Sequence, residues 1–154
     1  VLRKFIDSLS GNYAYLVMDN EAGMEHLSRR TTENVDVLLI ISDHSVKGVR
    51  TVARIRELVS ELKLAVRKQA VLINFVPGQL DPQVSEELTR LKIEPTALIP
   101  KDELIYNYDV RLKPLLDLPN SSKAVMAVSE LMTELLPRAE LVRINQAKHK
   151  NIGG

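Results

Sequence analysis

Asp19 closes an apolar run, Tyr13 to Met18, and opens the string Asp19-Asn20-Glu21-Ala22-Gly23-Met24-Glu25-His26-Leu27-Ser28-Arg29-Arg30-Thr31. A carboxylate at the carboxyl end of a strand can hold a magnesium ion or its water, and a following glycine lets a backbone N–H approach a phosphate. Asp19 with Gly23 is therefore chemistry for phosphoryl transfer, which rests on positioning and charge stabilisation. The competing reading of Asp19 is a cap on a following helix. Asn74 ends another apolar run with an amide that carries both a donor and an acceptor, and it also suits a turn ahead of Val76-Pro77. Pro100, Lys101 and Asp102 follow another apolar run, either lining a ligand or making a strand-to-helix turn. His26 has no second ligand close by in sequence and reads as a surface or hydrogen-bonding histidine, not as a metal ligand.

These residues need elements that bring them to one edge. Leu2, Phe5, Ile6 and Leu9 fall at helical spacing before Gly11, so a short helix feeds the strand that ends at Asp19. Val37 to Ile41 is branched and apolar throughout, as a strand buried on both faces should be. Ser42-Asp43-His44-Ser45 offers N-cap choices for a helix to about Leu64, with Val49, Val52, Ile55, Val59 and Leu62 inward and Arg50, Arg54, Glu57 and Glu61 outward. Ala70 to Phe75 is a further strand, stopped by Pro77-Gly78. Asp81-Pro82 starts the next helix, whose buried stripe is Val84, Leu88 and Leu91. Thr96 to Ile99 is a short strand, and Asp102 caps a brief helix through Tyr106. Ser121 or Ser122 caps the last clear helix, with Val125, Val128, Leu131 and Leu135 on one face before Pro137. Strands alternating with helices imply crossover connections and a largely parallel sheet, which binds ligands outside the carboxyl ends of its strands.

The 154 residues, 45% hydrophobic, suit one globular domain over 1–137, with 138–154 as a basic tail or helix extension. A formal net charge of +1 gives no electrostatic reason to expect nucleic acid as a partner. The chain has no cysteine, so it builds neither a disulfide framework nor a thiolate metal site by itself. No apolar run approaches a membrane span and no signal-peptide pattern stands at the amino end, so the expectation is a cytoplasmic protein without a membrane partner. The chain opens on Val1 inside a helical pattern and reads as a piece of something longer. No phosphate-cradling loop occurs. Its nearest approach, Lys47-Gly48, lies inside an amphipathic helix.

The string from Asp19 to Thr31 resembles the second switch of the deviant P-loop ATPases, a class that includes septum-positioning ATPases, partitioning ATPases and the nitrogenase iron protein. Within that class it looks most like the ATPases that mature carbon monoxide dehydrogenase by helping to insert nickel. The resemblance runs from Val1 to about Leu136. It implies an α/β, three-layer P-loop NTPase-type fold with a mostly parallel sheet, here incomplete at the amino-terminal side. It implies that Asp19 and Gly23 are catalytic, with Asp19 contacting magnesium indirectly. It also implies that Asn74 and Phe75 hold the adenine, and that Pro100, Lys101 and Asp102 line its other side. ATP or ADP with Mg2+ is then the ligand, a homodimer the working form, and carbon monoxide dehydrogenase the client. Nickel or zinc would be held in the intact protein by a Cys-x-Cys pair absent from this chain. Without the phosphate loop, these residues alone are expected not to hydrolyse ATP. In the class, the phosphate-loop strand lies between the strand ending at Met18 and Val37 to Ile41, so the sheet should be open there unless another strand closes it. The alternatives are a positioning or partitioning ATPase, and a non-enzymatic flavodoxin-like interaction domain. Against a receiver of the latter type, Asp19 lacks an acidic partner.

Overall fold

A parallel sheet covered by helices on both faces asks for strands that are apolar on both sides. β1 (Asn34–Asp43), β2 (Ala65–Val76) and β3 (Ala97–Pro100) pair in parallel in that order, in a computed structural model that describes residues 12, 13, 15–20 and 34–136. Between and after them run α1 (Val46–Glu61), α2 (Pro82–Arg90), α3 (Glu103–Val110), a 3-10 turn (Leu115–Asp117) and α4 (Lys123–Leu135). The central strand β2 divides its side chains by the two-residue period of the pleat. Val71, Ile73 and Val76 join Ile40 beneath Val49 and Val52 of α1 and Val84 and Leu88 of α2. Ala70 and Leu72 join Ile99 beneath Ala124, Leu131 and Leu135 of α4. The result is the expected α/β arrangement of a parallel sheet between helical layers.

Each helix start carries a side-chain oxygen on an otherwise unpaired N–H. Ser45 accepts from Gly48, Asp81 from Gln83, Asp102 from Leu104, and Ser122 from Val125. Gly48 is glycine for a steric reason, since a Cβ there would fall onto Ser42 Oγ and Asp43 Oδ1 at the end of β1.

Several expectations need correction. Residues 15–20 form no strand, and Val17 is 88% exposed, so the run Tyr13 to Met18 does not join the sheet. A single apolar stretch has no ladder to enter unless a neighbour supplies one, and β1 pairs with no described strand on the edge away from β2. β1 and β2 both begin earlier than their apolar runs suggest, because the charged residues of their first turns lie at the exposed end, where Arg67 pairs with Asp36 at 3.0 Å. The buried stripe of α4 runs through Ala124, Ala127, Leu131 and Leu135, and Val128 is exposed. Small alanines let the helix sit close to β3, and that rotates the expected face. α3 continues past Tyr106 to Val110. The first helix, Gly11, Gly23, His26 and the tail from residue 137 lie outside the described residues. No helix among the described residues is long and apolar enough to cross a membrane.

Candidate functional site

Parallel strands deliver their last residues to the same edge, and the register fixes which of them are neighbours. Asp43 is level with Asn74 across β1 and β2, and Val76 is level with Pro100 across β2 and β3. Adjacent strands lie about 4.8 Å apart, so Asp43, Asn74, Phe75 and the Pro100 to Asp102 loop occupy one short edge. The Lys101 N–H donates to the Val76 carbonyl at 2.9 Å, which fastens that loop to the end of β2.

The end of β2 is bent. The ladder shifts register between Ile73 and Val76, and Phe75 sits at φ 59°, in the left-handed region. A bulky residue there costs on the order of 1–3 kcal/mol. Asn74 Oδ1 accepts the Phe75 N–H at 2.9 Å and holds the bend. That leaves Asn74 Nδ2 without an acceptor among the described residues. The Phe75 side chain is 56% exposed at the turn of the strand.

Asp102 is committed to the fold. Its Oδ1 accepts from Leu104 N at 2.9 Å, while Oδ2 accepts from Ser122 Oγ at 2.6 Å and from Ala124 N at 3.2 Å. One carboxylate thus serves the starts of α3 and α4. The Ser122 hydroxyl, and after it the Leu104 N–H, hold this carboxyl below the usual aspartate range. Its contribution at the edge is to fix the course of the Pro100 to Asp102 loop. Lys101 is exposed there.

On the β1 side, Asp43 Oδ1 accepts from Ser45 Oγ at 2.6 Å, and His44 Nε2 accepts from the Asp81 N–H at 2.9 Å, tying the loop after β1 to the loop after β2. Sequence reasoning treated Ser42 to Ser45 only as caps. Applying the rule of strand carboxyl ends to β1 as well would have added Asp43 and His44 to the edge. Asp19 lies in irregular chain with an exposed side chain, and among the described residues it meets no group that defines a site. Gly23 is outside the described residues. Among the described residues no three His, Cys, Asp or Glu side chains gather as a metal site. With no cysteine in the chain, these residues build no thiolate nickel or zinc centre.

Away from this edge, Glu87 of α2 is 7% exposed inside a helix stripe assigned only to Val84, Leu88 and Leu91. It accepts from Arg50 Nε at 2.6 Å and from Arg90 Nη2 at 2.7 Å, so Arg50, exposed on the outward face of α1 as expected, also clamps α1 to α2. Arg90 first, then Arg50, lower the Glu87 carboxyl to about 2. The Glu87 to Arg90 spacing of three was the available signal.

The architecture is an α/β fold, a parallel sheet between helical layers whose loops collect at one edge. Solved structures share it. The MinD cell division protein of Aquifex aeolicus superposes with a TM-score of 0.67 at 24% identity, over 88% of this chain and 59% of its own. The cell division ATPase MinD of Pyrococcus furiosus does so with a TM-score of 0.64 at 17% identity, over 93% of this chain and 57% of its own. In sequence, the chain is 35% identical over 135 residues to an uncharacterized ATP-binding protein of Methanocaldococcus jannaschii, over 88% of this chain and 53% of that protein. The chain therefore spans about half the length of this curated relative. No family model matches it.

Proposed function

We propose that these residues form the switch and base side of an ATP-binding ATPase of the MinD and partitioning type. The observation that carries this reading is the placement of Asn74 and the Pro100 to Asp102 loop on neighbouring strand ends, joined through the Lys101 to Val76 hydrogen bond. The Asn74 amide, with its Nδ2 donor left over, meets the adenine edge, and the Pro100 to Asp102 loop borders it. Asp19 is the residue that would hold magnesium, directly or through a water, and the ion would supply charge stabilisation to the phosphates. Gly23 brings its backbone to the terminal phosphate. The ATP-binding name of the methanogen relative and the fold shared with cell division ATPases support the reading. Since these residues cover only 53% of that relative, the phosphate loop is assigned to the rest of the full-length protein, which acts as a cytoplasmic homodimer.

The finer reading is ATP-dependent insertion of nickel into carbon monoxide dehydrogenase, favoured by the string Asp19 to Thr31. In that case the cargo metal is held by cysteines outside these residues. A Cys-x-Cys pair in the full-length sequence favours this reading, and a phosphate loop without the pair favours a positioning ATPase. The test of the general reading is Asp19→Ala in the full-length protein. ATP hydrolysis is lost while ATP binding is largely kept, because binding is shared among many contacts and water positioning is not. Equal loss of both marks Asp19 as a structural cap and removes it from the mechanism.

A further inference from the structure

The loop from β2 to α2 is held from outside at its two ends. At its start the Val76 carbonyl accepts the Lys101 N–H, and at its end the Asp81 N–H donates to His44 Nε2 at 2.9 Å, from the loop after β1. Between these points Leu80 packs against the core, and among the described residues Pro77 to Leu80 make no hydrogen bond. The far end of the loop therefore depends on the His44 contact. That contact exists only for a neutral imidazole, because an imidazolium carries a proton on both ring nitrogens and has no lone pair to offer. The ring also meets the amino end of α2, where the helix dipole disfavours a cation. The charged groups of the elements that join there are Asp43 at the end of β1, Lys47 in the first turn of α1 and Asp81 at the start of α2. Asp43 Oδ1 accepts from Ser45 Oγ and Asp81 Oδ1 from the Gln83 N–H, so each carboxylate keeps a second oxygen that can attract an imidazolium, while Lys47 opposes it. Whichever partner the imidazolium takes, the Asp81 N–H loses its acceptor.

Resting on the nucleotide reading above, we propose that His44 is a proton-operated latch at the carboxyl edge of the sheet. Neutral, it fixes the loop that leaves the bent end of β2; protonated, it releases that loop, and nucleotide affinity falls. A released loop lowers affinity because binding must then order it. Histidine is the side chain whose charge changes between about pH 5 and about pH 8, which sets the range of the latch.

The experiment compares the full-length protein with His44→Gln and His44→Ala at about pH 8 and about pH 5. The glutamine carbonyl can accept the Asp81 N–H and does not titrate. Two quantities are read: protection of the Asp81 amide against hydrogen exchange, relative to its intrinsic rate at each pH, and affinity for ATP by calorimetry. In the unsubstituted protein both fall by roughly 2- to 10-fold at the lower pH beyond any change in His44→Gln, the size of one exposed hydrogen bond. His44→Ala holds the lower values at both pH values. The comparison with His44→Gln removes the titration of ATP itself and of the two aspartates. If Asp81 protection falls no further than in His44→Gln, the latch is wrong. If protection falls but ATP affinity does not, control of the site is wrong and the nucleotide reading stands. If the unsubstituted protein binds no ATP at either pH, the nucleotide reading falls and the control with it, and Asp81 protection alone decides the latch.

Discussion

At the scale of single residues, Asp102 shows how a side chain at the carboxyl edge of the sheet can belong to the scaffold. Its carboxylate holds the first turns of α3 and α4 together. Asp102→Ala should therefore destabilise the domain by about 1–3 kcal/mol, the loss of a cap plus a second contact, measured by urea unfolding. Its pKa and that of Glu87 are both lowered in the folded state, so the folded protein prefers the charged carboxylates. The stability they contribute is present above the unfolded values and lost as pH falls. For Glu87 the loss runs from its ordinary 4.5 down to about 2. Glu87→Gln should flatten the dependence of stability on pH below 4.5, measured by urea unfolding at several pH values. Asp102 was legible in the sequence as a cap. Glu87 was not, because a glutamate in a helix reads as solvated until tertiary structure sets Arg50 against it.

At the scale of elements, hydrophobic period and caps carried most of the information. The strands after Val37, Ala70 and Thr96, and the starts at Asp81, Asp102 and Ser122, were all readable from local chemistry. The face of α4 was not, because Val128 outranks Ala124 and Ala127 in hydrophobicity, while close packing on β3 favours the smaller side chains. This makes a direct contrast. Leu131→Ala should cost about 2–4 kcal/mol through a core cavity, whereas Val128→Ala should stay within about 0.5 kcal/mol. Thermal or urea unfolding of the two variants measures it, and equal losses would restore the face expected from sequence.

At the scale of the whole molecule, the order of elements predicted a parallel α/β sheet, and a sheet of that kind forms. Residues 15–18 form no strand although the run Tyr13 to Met18 reads as one, since strand formation depends on pairing that local sequence does not show. Of the candidate residues, the position of Asn74 and of Pro100 to Asp102 at neighbouring strand ends was legible, while the edge position of Asp43 and His44 depends on the pairing of β1 with β2. The central claim is that this edge reads adenine. Calorimetric titration of the full-length protein with ATP and GTP, before and after Asn74→Ala, tests it most directly. The account predicts a preference for ATP and a loss of roughly 1–3 kcal/mol of ATP affinity in the variant, with the preference over GTP collapsing. An unchanged preference for ATP in Asn74→Ala, or no nucleotide binding by the unsubstituted protein, would contradict it.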